Sequence, residues 1–505
     1  MLPDARKVES DALASSLRRA GSRDFLLNVL GVAVPTLVAI LALPSLSERL
    51  GDARLGMLGL IWALVGYFGL FDLGMSRALA RRAAEAGEDV DLKAACRAAA
   101  RKVFRWLSAT TMVLAVAVIA VVALAIDLEP LAGGRIDPDE LRQAVVFALA
   151  ALPAVILSGL PRGVLEGRQD FLIANVLRIC IASWSFLAPL IASLWTPSMG
   201  VSVALISVGR WIGLIAYWRS AEKALPRPQG AREQDVAAGG LVREGGWLSV
   251  SSIVGPVMVS LDRFVIAGWI SVTAVAFYAV PQEIVLRLLA LPTALALAVF
   301  PLIARAKPRN DQRVWRAQLE GTLAISVPLC LGLSLFSDEA LSLWMGPEFA
   351  KQSALAASIF AVGMLANSVA QVPFGILQAA GRAEVTGKLH LIEFFPFLAF
   401  SIAGAQYGGV AGAAVAWTLR MIADCALLWG AVMRLELARN ARQELKKVAC
   451  FLLLVGSGLG VAFLIEPAPL RNAISACWLV VGVVSSAQCT RAALQHARAN
   501  APRNS

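Results

Sequence analysis

Apolar runs of about 20 residues, the length that carries an α-helix across a bilayer, recur along the chain between short charged connections. Read in order, they predict helices near 25–44, 55–74, 103–126, 141–161, 171–194, 199–218, 247–270, 274–304, 319–336, 353–380, 388–407, 410–433, 447–465 and 472–490. Fourteen such helices require about 280 mostly apolar positions at ~20 each, and 58% of the 505 residues are apolar. The pattern therefore predicts an all-α polytopic membrane protein of about fourteen spans. Charged residues make up 16% of the chain, against about 25% in soluble domains, and the mean hydropathy is +0.70. A soluble multidomain enzyme and a disordered chain are both excluded.

The charges sharpen this topology. A net charge of +11 taken alone suggests a nucleic-acid or anionic-membrane partner, but its distribution does not. Counted along the sequence, 35 of the 46 Lys and Arg lie in the N-tail, the C-tail and alternate connections, six lie in the other connections, and five fall inside spans. This is the positive-inside pattern, which predicts both termini cytoplasmic and no nucleic-acid partner. The N-tail, 1–24, mixes acids and bases and is followed by an apolar stretch of full span length, so no cleavable signal is expected. Residues 219–246, with Pro226, Pro228 and Gly230, read as a cytoplasmic linker, and 491–505 as a cytoplasmic C-tail. The external connections 127–142 and 337–352 are short and acidic, too small for an external catalytic domain.

The helix starts recur with a shift of about 211–222 residues, and local sequence recurs with them. Pro161-Arg-Gly163-Val-Leu165-Glu166, followed by Gly167-Arg168 and Asp170, parallels Pro373-Phe-Gly375-Ile-Leu377-Gln378, followed by Gly381-Arg382 and Glu384. Six helices per unit is an even number, so both units enter the membrane in the same direction. The expectation is two parallel repeats around a central cavity, an N-lobe at 25–218 and a C-lobe at 247–433, with two further helices at 434–490.

Ten ionisable residues lie within or at the edge of the spans: Asp72, Arg178, Arg210, Asp262, Arg263, Glu283, Arg287, Glu393, Arg420 and Asp424. A charge at a helix centre costs about 2.5–3.5 kcal/mol on insertion scales, so none is expected to face lipid. Glu283 with Arg287, and Arg420 with Asp424, stand four apart and share a helix face. Each pair is open to two readings, self-neutralised packing or function. Arg178 and Arg210 have no acid in reach along their own helices, and a guanidinium in a wet cavity suits phosphate oxygens. Asp72, a turn or so before Arg77, serves either a local cap or transport.

Catalytic and cofactor chemistry finds little material. His390 and His496 are the only histidines, the seven cysteines form no CxxC pair, and no GxxxxGK[ST] phosphate loop is present. Asp137, Asp139 and Glu140 form an acidic stretch that a solvated loop explains. No metal, cofactor or ATP hydrolysis is expected.

Two stretches carry a family resemblance. Leu50-Gly51, Leu55-Gly56 and the run from Gly66-Tyr67-Phe68 through Phe71-Asp72, Gly74, Ser76-Arg77 and Arg81 resemble the second span of oligosaccharide flippases. Leu261-Asp262-Arg263-Phe264, Phe277-Tyr278, Pro281, Leu291-Pro292 and Val299-Phe300-Pro301 are similar to spans 7 and 8 of the same group. These are the Wzx-type polysaccharide flippases of the multidrug/oligosaccharidyl-lipid/polysaccharide exporter superfamily. The resemblance implies a two-lobed, non-enzymatic transporter of the bacterial inner membrane that alternates between inward- and outward-facing states. Its cargo would be a polyprenyl-pyrophosphate-linked oligosaccharide for O-antigen or exopolysaccharide synthesis, handed on to a polysaccharide polymerase, with membrane lipid as surroundings. Arg178, Arg210, Arg263, Arg287 and Arg420 would then line a cationic cavity. Asp72, Asp262, Glu283, Glu393 and Asp424 would carry a coupling proton or sodium ion, or hold the arginines in position. The competing readings are a lipid II flippase, a drug/cation antiporter of the same superfamily and, from another class, a polysaccharide polymerase or ligase.

Overall fold

The computed structural model describes residues 30–31, 33–68, 75–86, 89–125, 135–168, 170–225, 261–306, 312–438, 441–465 and 468–498. Every regular element among them is an α-helix, and ten of these helices are long and apolar enough to cross a membrane. The chain divides into two compact units, Met1–Arg54 with Ile61–Ile253, and Leu55–Leu60 with Val254–Ser505. The expected N-tail, Asp72, linker residues 226–246 and the last residues of the C-tail lie outside the described residues.

The first unit holds α1 (Ala33–Leu50), most of α2 (Asp52–Phe68), α3 (Met75–Glu85), α4 (Val90–Ala125), α5 (Pro138–Gly167), α6 (Phe171–Ser193) and α7 (Met199–Ala224). Polar signals set the helix starts. Asp137 caps α5 by accepting from Asp139 N, with Pro138 placed where no N–H is needed, and Ser198 caps α7. At the same end of the unit, Glu140 takes two hydrogen bonds from Arg54, each 2.9 Å, and one from Met199 N at 2.6 Å, which ties the starts of α2, α5 and α7. The core joins Met75, Leu79 and Ala83 of α3 to Val103 and Leu107 of α4, Leu157, Leu160 and Val164 of α5, and Leu214 and Tyr217 of α7. Gly163 and Gly167 let α5 press on α3: a Cβ at either would strike the carbonyl of Ser76 or Ala80. Indole N–H groups supply further ties, Trp62 to Ser185 O, Trp184 to Leu205 O and Trp211 to Ala150 O.

The second unit continues with α8 (261–269), α9 (Val272–Leu288), α10 (Ala290–Ala306), α11 (Arg313–Met345), α12 (Pro347–Ala379), α13 (Ala383–Arg434), α14 (Ala441–Leu464) and α15 (Ala468–Arg498). An edge-on aromatic series runs through its core, Tyr278 to Phe360 at 5.0 Å and Phe360 to Trp417 at 5.2 Å. The predicted span 274–304 is two helices, parted at Leu289 three residues before Pro292, whose ring removes a donor from the ladder. The predicted external loop 337–352 is instead helical on both sides of a turn at Gly346, where φ is +96° and Pro347 opens the next helix. The predicted spans 388–407 and 410–433 meet at Gly409, whose φ of +58° and ψ of −140° turn the chain back on itself. On the two arms flanking that turn Gly404 and Gly412 bring the backbones together, each standing where the other's carbonyl leaves no room for a Cβ. Helical dihedrals run on through Pro153, Pro189, Pro328 and Pro396, and within α11 and α13 they break at Phe336 and Gly409.

Candidate anion-binding site and buried ionic networks

In the first unit the sequence-predicted cations Arg178 and Arg210 line one cavity of about 230 Å³, joined by Val65, Gly66, Ser158, Arg162 and Tyr217. Small residues make the space: Gly66 of α2, Ser158 and Gly159 of α5, and Ala182 of α6. Among the described residues the lining carries three guanidiniums and no carboxylate. The arginines sit at increasing depth. At 1.5 Å per residue, Arg162 lies about 8 Å from the C-terminal end of α5, Arg178 about 10 Å from the start of α6, and Arg210 about 21 Å from the C-terminal end of α7. Those three helix ends share one side of the unit, because α5, α6 and α7 run alternately and their connections are short.

Each arginine is held differently. Arg162 Nε donates to Glu166 Oε1 at 2.7 Å, four residues along α5, with both side chains about two-fifths exposed (43% and 40%). Arg178 lies against Asn175 and Gly31, whose missing side chain leaves room for the guanidinium. Arg210 Nη2 donates to Ser185 Oγ at 2.9 Å. Tyr217 donates to Ala174 O at 3.1 Å, fixing α7 to α6 at the cavity wall. Sequence reasoning assigned Arg162 to a connection and so missed it. Its signal was its place in the repeated motif, where the second half has Phe374.

In the second unit, Asp262 is fully buried and saturated. It accepts from Tyr278 Oη, from Gln282 Nε2 at 2.9 Å and from Arg263 N at 2.8 Å. Arg263, 3% exposed, donates to Gln282 Oε1 at 2.9 Å, to Glu283 Oε1 at 2.9 Å and to Gly59 O at 3.5 Å. Arg287 reaches the other oxygen of Glu283 at 3.4 Å. The expected Glu283–Arg287 pair is therefore present, but Arg263 is the closer partner. In this network Arg263 and the donors to Asp262 each meet an acceptor, so removing one member strands the others.

The expected Arg420–Asp424 pairing gives way to contacts across the α13 hairpin. Arg420 Nε stands 3.9 Å from Glu393 Oε2 and its Cζ lies 5.2 Å from the Phe397 ring, while Asp424 Oδ1 lies 3.6 Å from His390 Nε2. Although four apart on one helix face, both side chains turn to the facing helix that Gly404 and Gly412 bring close. Glu393 is 6% exposed and Arg420 and Asp424 9% each. Both Glu393 oxygens, Asp424 Oδ1, and Arg420 Nε and Nη1 are buried and meet no hydrogen-bonding partner within the protein. His390 was not foreseen in this cluster; its spacing of three from Glu393, one turn apart on the same face, is the signal that pointed to it. No His/Cys/Asp/Glu group suited to hold a metal occurs among the described residues.

Known proteins bear on these features. A family profile described as "Polysaccharide biosynthesis protein" matches residues 22–307. A Shigella flexneri protein named "Putative O-antigen transporter" is 28% identical over 412 residues, covering 79% of this chain and 95% of its own. Among solved structures, the lipid II flippase MurJ in an inward closed conformation superposes with a TM-score of 0.64 at 12% identity, covering 92% of this chain and 98% of that one. An inward-facing multidrug resistance MATE family transporter of the MOP superfamily gives 0.61 at 12% identity, covering 81% and 95%. The two structures are similar to this chain in fold.

Proposed function

The chain belongs to the polysaccharide biosynthesis protein family, and from that premise we propose that it is a flippase for lipid-linked oligosaccharide. Its cargo is an oligosaccharide on polyprenyl pyrophosphate, moved from the cytoplasmic to the periplasmic leaflet of the inner membrane for O-antigen or exopolysaccharide synthesis. The observation that carries this reading is the cavity lined by Arg162, Arg178 and Arg210. Guanidiniums match phosphate oxygens in geometry and stay charged at every working pH. A drug/cation antiporter would have to bring its cationic cargo past these same charges.

In this reading about fourteen spans in two parallel six-helix repeats, plus two C-terminal helices, alternate access around the cargo, with both termini cytoplasmic. The side of the first unit where α5 ends and α6 begins then faces the cytoplasm, where the cargo is made. Arg178 and Arg210 bind the pyrophosphate. Asp262 and Glu283 hold Arg263 and Arg287 in position. Glu393 and Asp424, with oxygens that find no donor in the protein, carry the coupling proton or sodium ion. A polysaccharide polymerase receives the product. The deciding experiment is gene deletion followed by leaflet-resolved detection of lipid-linked sugar. Sugar stranded on the cytoplasmic leaflet, with loss of surface polymer, is the expected result. Unchanged lipid-linked sugar with hypersensitivity to drugs would overturn it in favour of the antiporter.

A further inference from the structure

We propose that the cavity of the first unit is a pyrophosphate-headgroup site regulated by Glu166, a resident anion that occupies Arg162 until the headgroup displaces it. The inference rests on the flippase reading and adds an order of events to it. Arg162 stands nearest the end of the helices, Arg178 slightly deeper and Arg210 about 21 Å in by helix rise. An anion entering from that end meets Arg162 first.

Three observations make Glu166 a competitor for the ligand. First, its bond to Arg162 is short, 2.7 Å, yet both side chains are about two-fifths exposed (43% and 40%). An exposed ion pair contributes little, whereas each hydrogen bond to a charged group contributes several times more. A pyrophosphate offering several oxygens to Arg162, Arg178 and Arg210 therefore wins the exchange. The Arg263–Glu283 bond of the second unit has a similar length, 2.9 Å, but its arginine is only 3% exposed, and it is not exchangeable in this way.

Second, the cavity lining bears three arginines, so in the absence of cargo a carboxylate at the mouth lowers the local repulsion. Third, the motif positions of Arg162 and Glu166 are filled in the second half by Phe374 and Gln378. The helix turn at that place in the second unit forms without the charged pair, so in the first unit the pair serves something other than the fold.

The test is calorimetric titration of the purified full-length chain, in detergent at fixed ionic strength, with inorganic pyrophosphate and separately with farnesyl pyrophosphate. Arg162→Gln, Arg178→Gln and Arg210→Gln are each expected to weaken binding about ten- to a hundredfold. Glu166→Gln is expected to tighten it about two- to fivefold, the factor by which a lost exposed ion pair frees Arg162. Gly66→Leu, which fills the cavity without touching a charge, is expected to abolish binding. Tighter binding of farnesyl pyrophosphate supports a lipid-linked headgroup as the ligand, and equal affinities support the free anion at the same site. Unchanged or weaker binding in Glu166→Gln overturns the competitor role, and normal binding in Gly66→Leu overturns the site. Failure to bind, while deletion still strands lipid-linked sugar, sinks this inference alone. Normal binding with no stranded sugar sinks the flippase reading.

Discussion

Arg210 donates from Nη2 to Ser185 Oγ at 2.9 Å, so the deepest guanidinium of the first-unit cavity is steadied by a neutral hydroxyl. Arg263 in the second unit is instead held by the Glu283 carboxylate at the same distance, 2.9 Å. The difference separates their roles. A hydroxyl orients a guanidinium and leaves its charge for a ligand, while a carboxylate cancels it.

Arg210→Ala is therefore expected to cut surface polysaccharide in a complemented deletion strain by about tenfold or more, the value of one charge-assisted hydrogen bond. Protein abundance should hold, since what is lost locally is one bond to Ser185. Arg210→Lys, which keeps the charge without the planar fork, should restore part of the activity. Normal polymer, or disappearance of the protein from the membrane, would contradict a ligand-binding role.

Asp262→Ala should act in the opposite manner, on stability. It removes the acceptor shared by Tyr278 Oη, Gln282 Nε2 and Arg263 N in a fully buried setting. Stranding a buried donor costs about 1–3 kcal/mol, and three are involved. Thermal unfolding of the detergent-purified protein should shift well below wild type, or the variant should fail to accumulate. A well-folded, inactive Asp262→Ala protein would instead place this acid in transport.

These contrasts show what the sequence could and could not convey. Hydropathy marked where helices run, because a span must be apolar over its length, and the two stretches around Asp72 and Asp262 identified the Wzx-type flippase resemblance. The turns were less legible. Gly346 and Gly409 carry positive φ, a property of the backbone that hydropathy does not encode, and so an expected loop at 337–352 became a single-residue turn. Ion pairing was the hardest part. The i,i+4 rule sees only one helix at a time, so it paired Arg420 with Asp424, while the hairpin placed Glu393 closer to Arg420. Arg162 was hidden because it reads as part of a connection; packing of α5 on α6 and α7 places it in one cavity with Arg178 and Arg210.

The α13 hairpin yields a steric prediction. Because Gly404 and Gly412 face each other's carbonyls, Gly412→Leu must push the two arms apart and with them the contact of Glu393 with Arg420. Fluorescence-detected size-exclusion chromatography should show a loss of monodisperse protein. Overpacking of this kind costs about 1–3 kcal/mol, and backbone contact offers no side chain that can yield. Gly430→Ala, on the same helix with open space at its Cβ, should elute as wild type. Equal behaviour of the two variants would show that the hairpin tolerates separation.

Glu393→Gln tests whether binding and coupling reside in different units. Glu393 belongs to the second unit and its two oxygens accept no hydrogen bond within the protein, Arg420 Nε standing off at 3.9 Å, whereas the arginine cavity is built wholly from first-unit residues. A glutamine keeps the size of the side chain and removes the exchangeable charge. If Glu393 carries the coupling ion, the variant should bind inorganic pyrophosphate as the wild type does. Its transport of lipid-linked sugar into liposomes should lose its response to an imposed proton or sodium gradient. Arg210→Ala should show the reverse order of failure, losing binding first and transport as a consequence. A Glu393→Gln protein that still responds to both gradients would remove this carboxylate from coupling. One that loses pyrophosphate binding as well would mean that the charge of Glu393 is felt at the first-unit cavity, and the division of labour between the two clusters would fall.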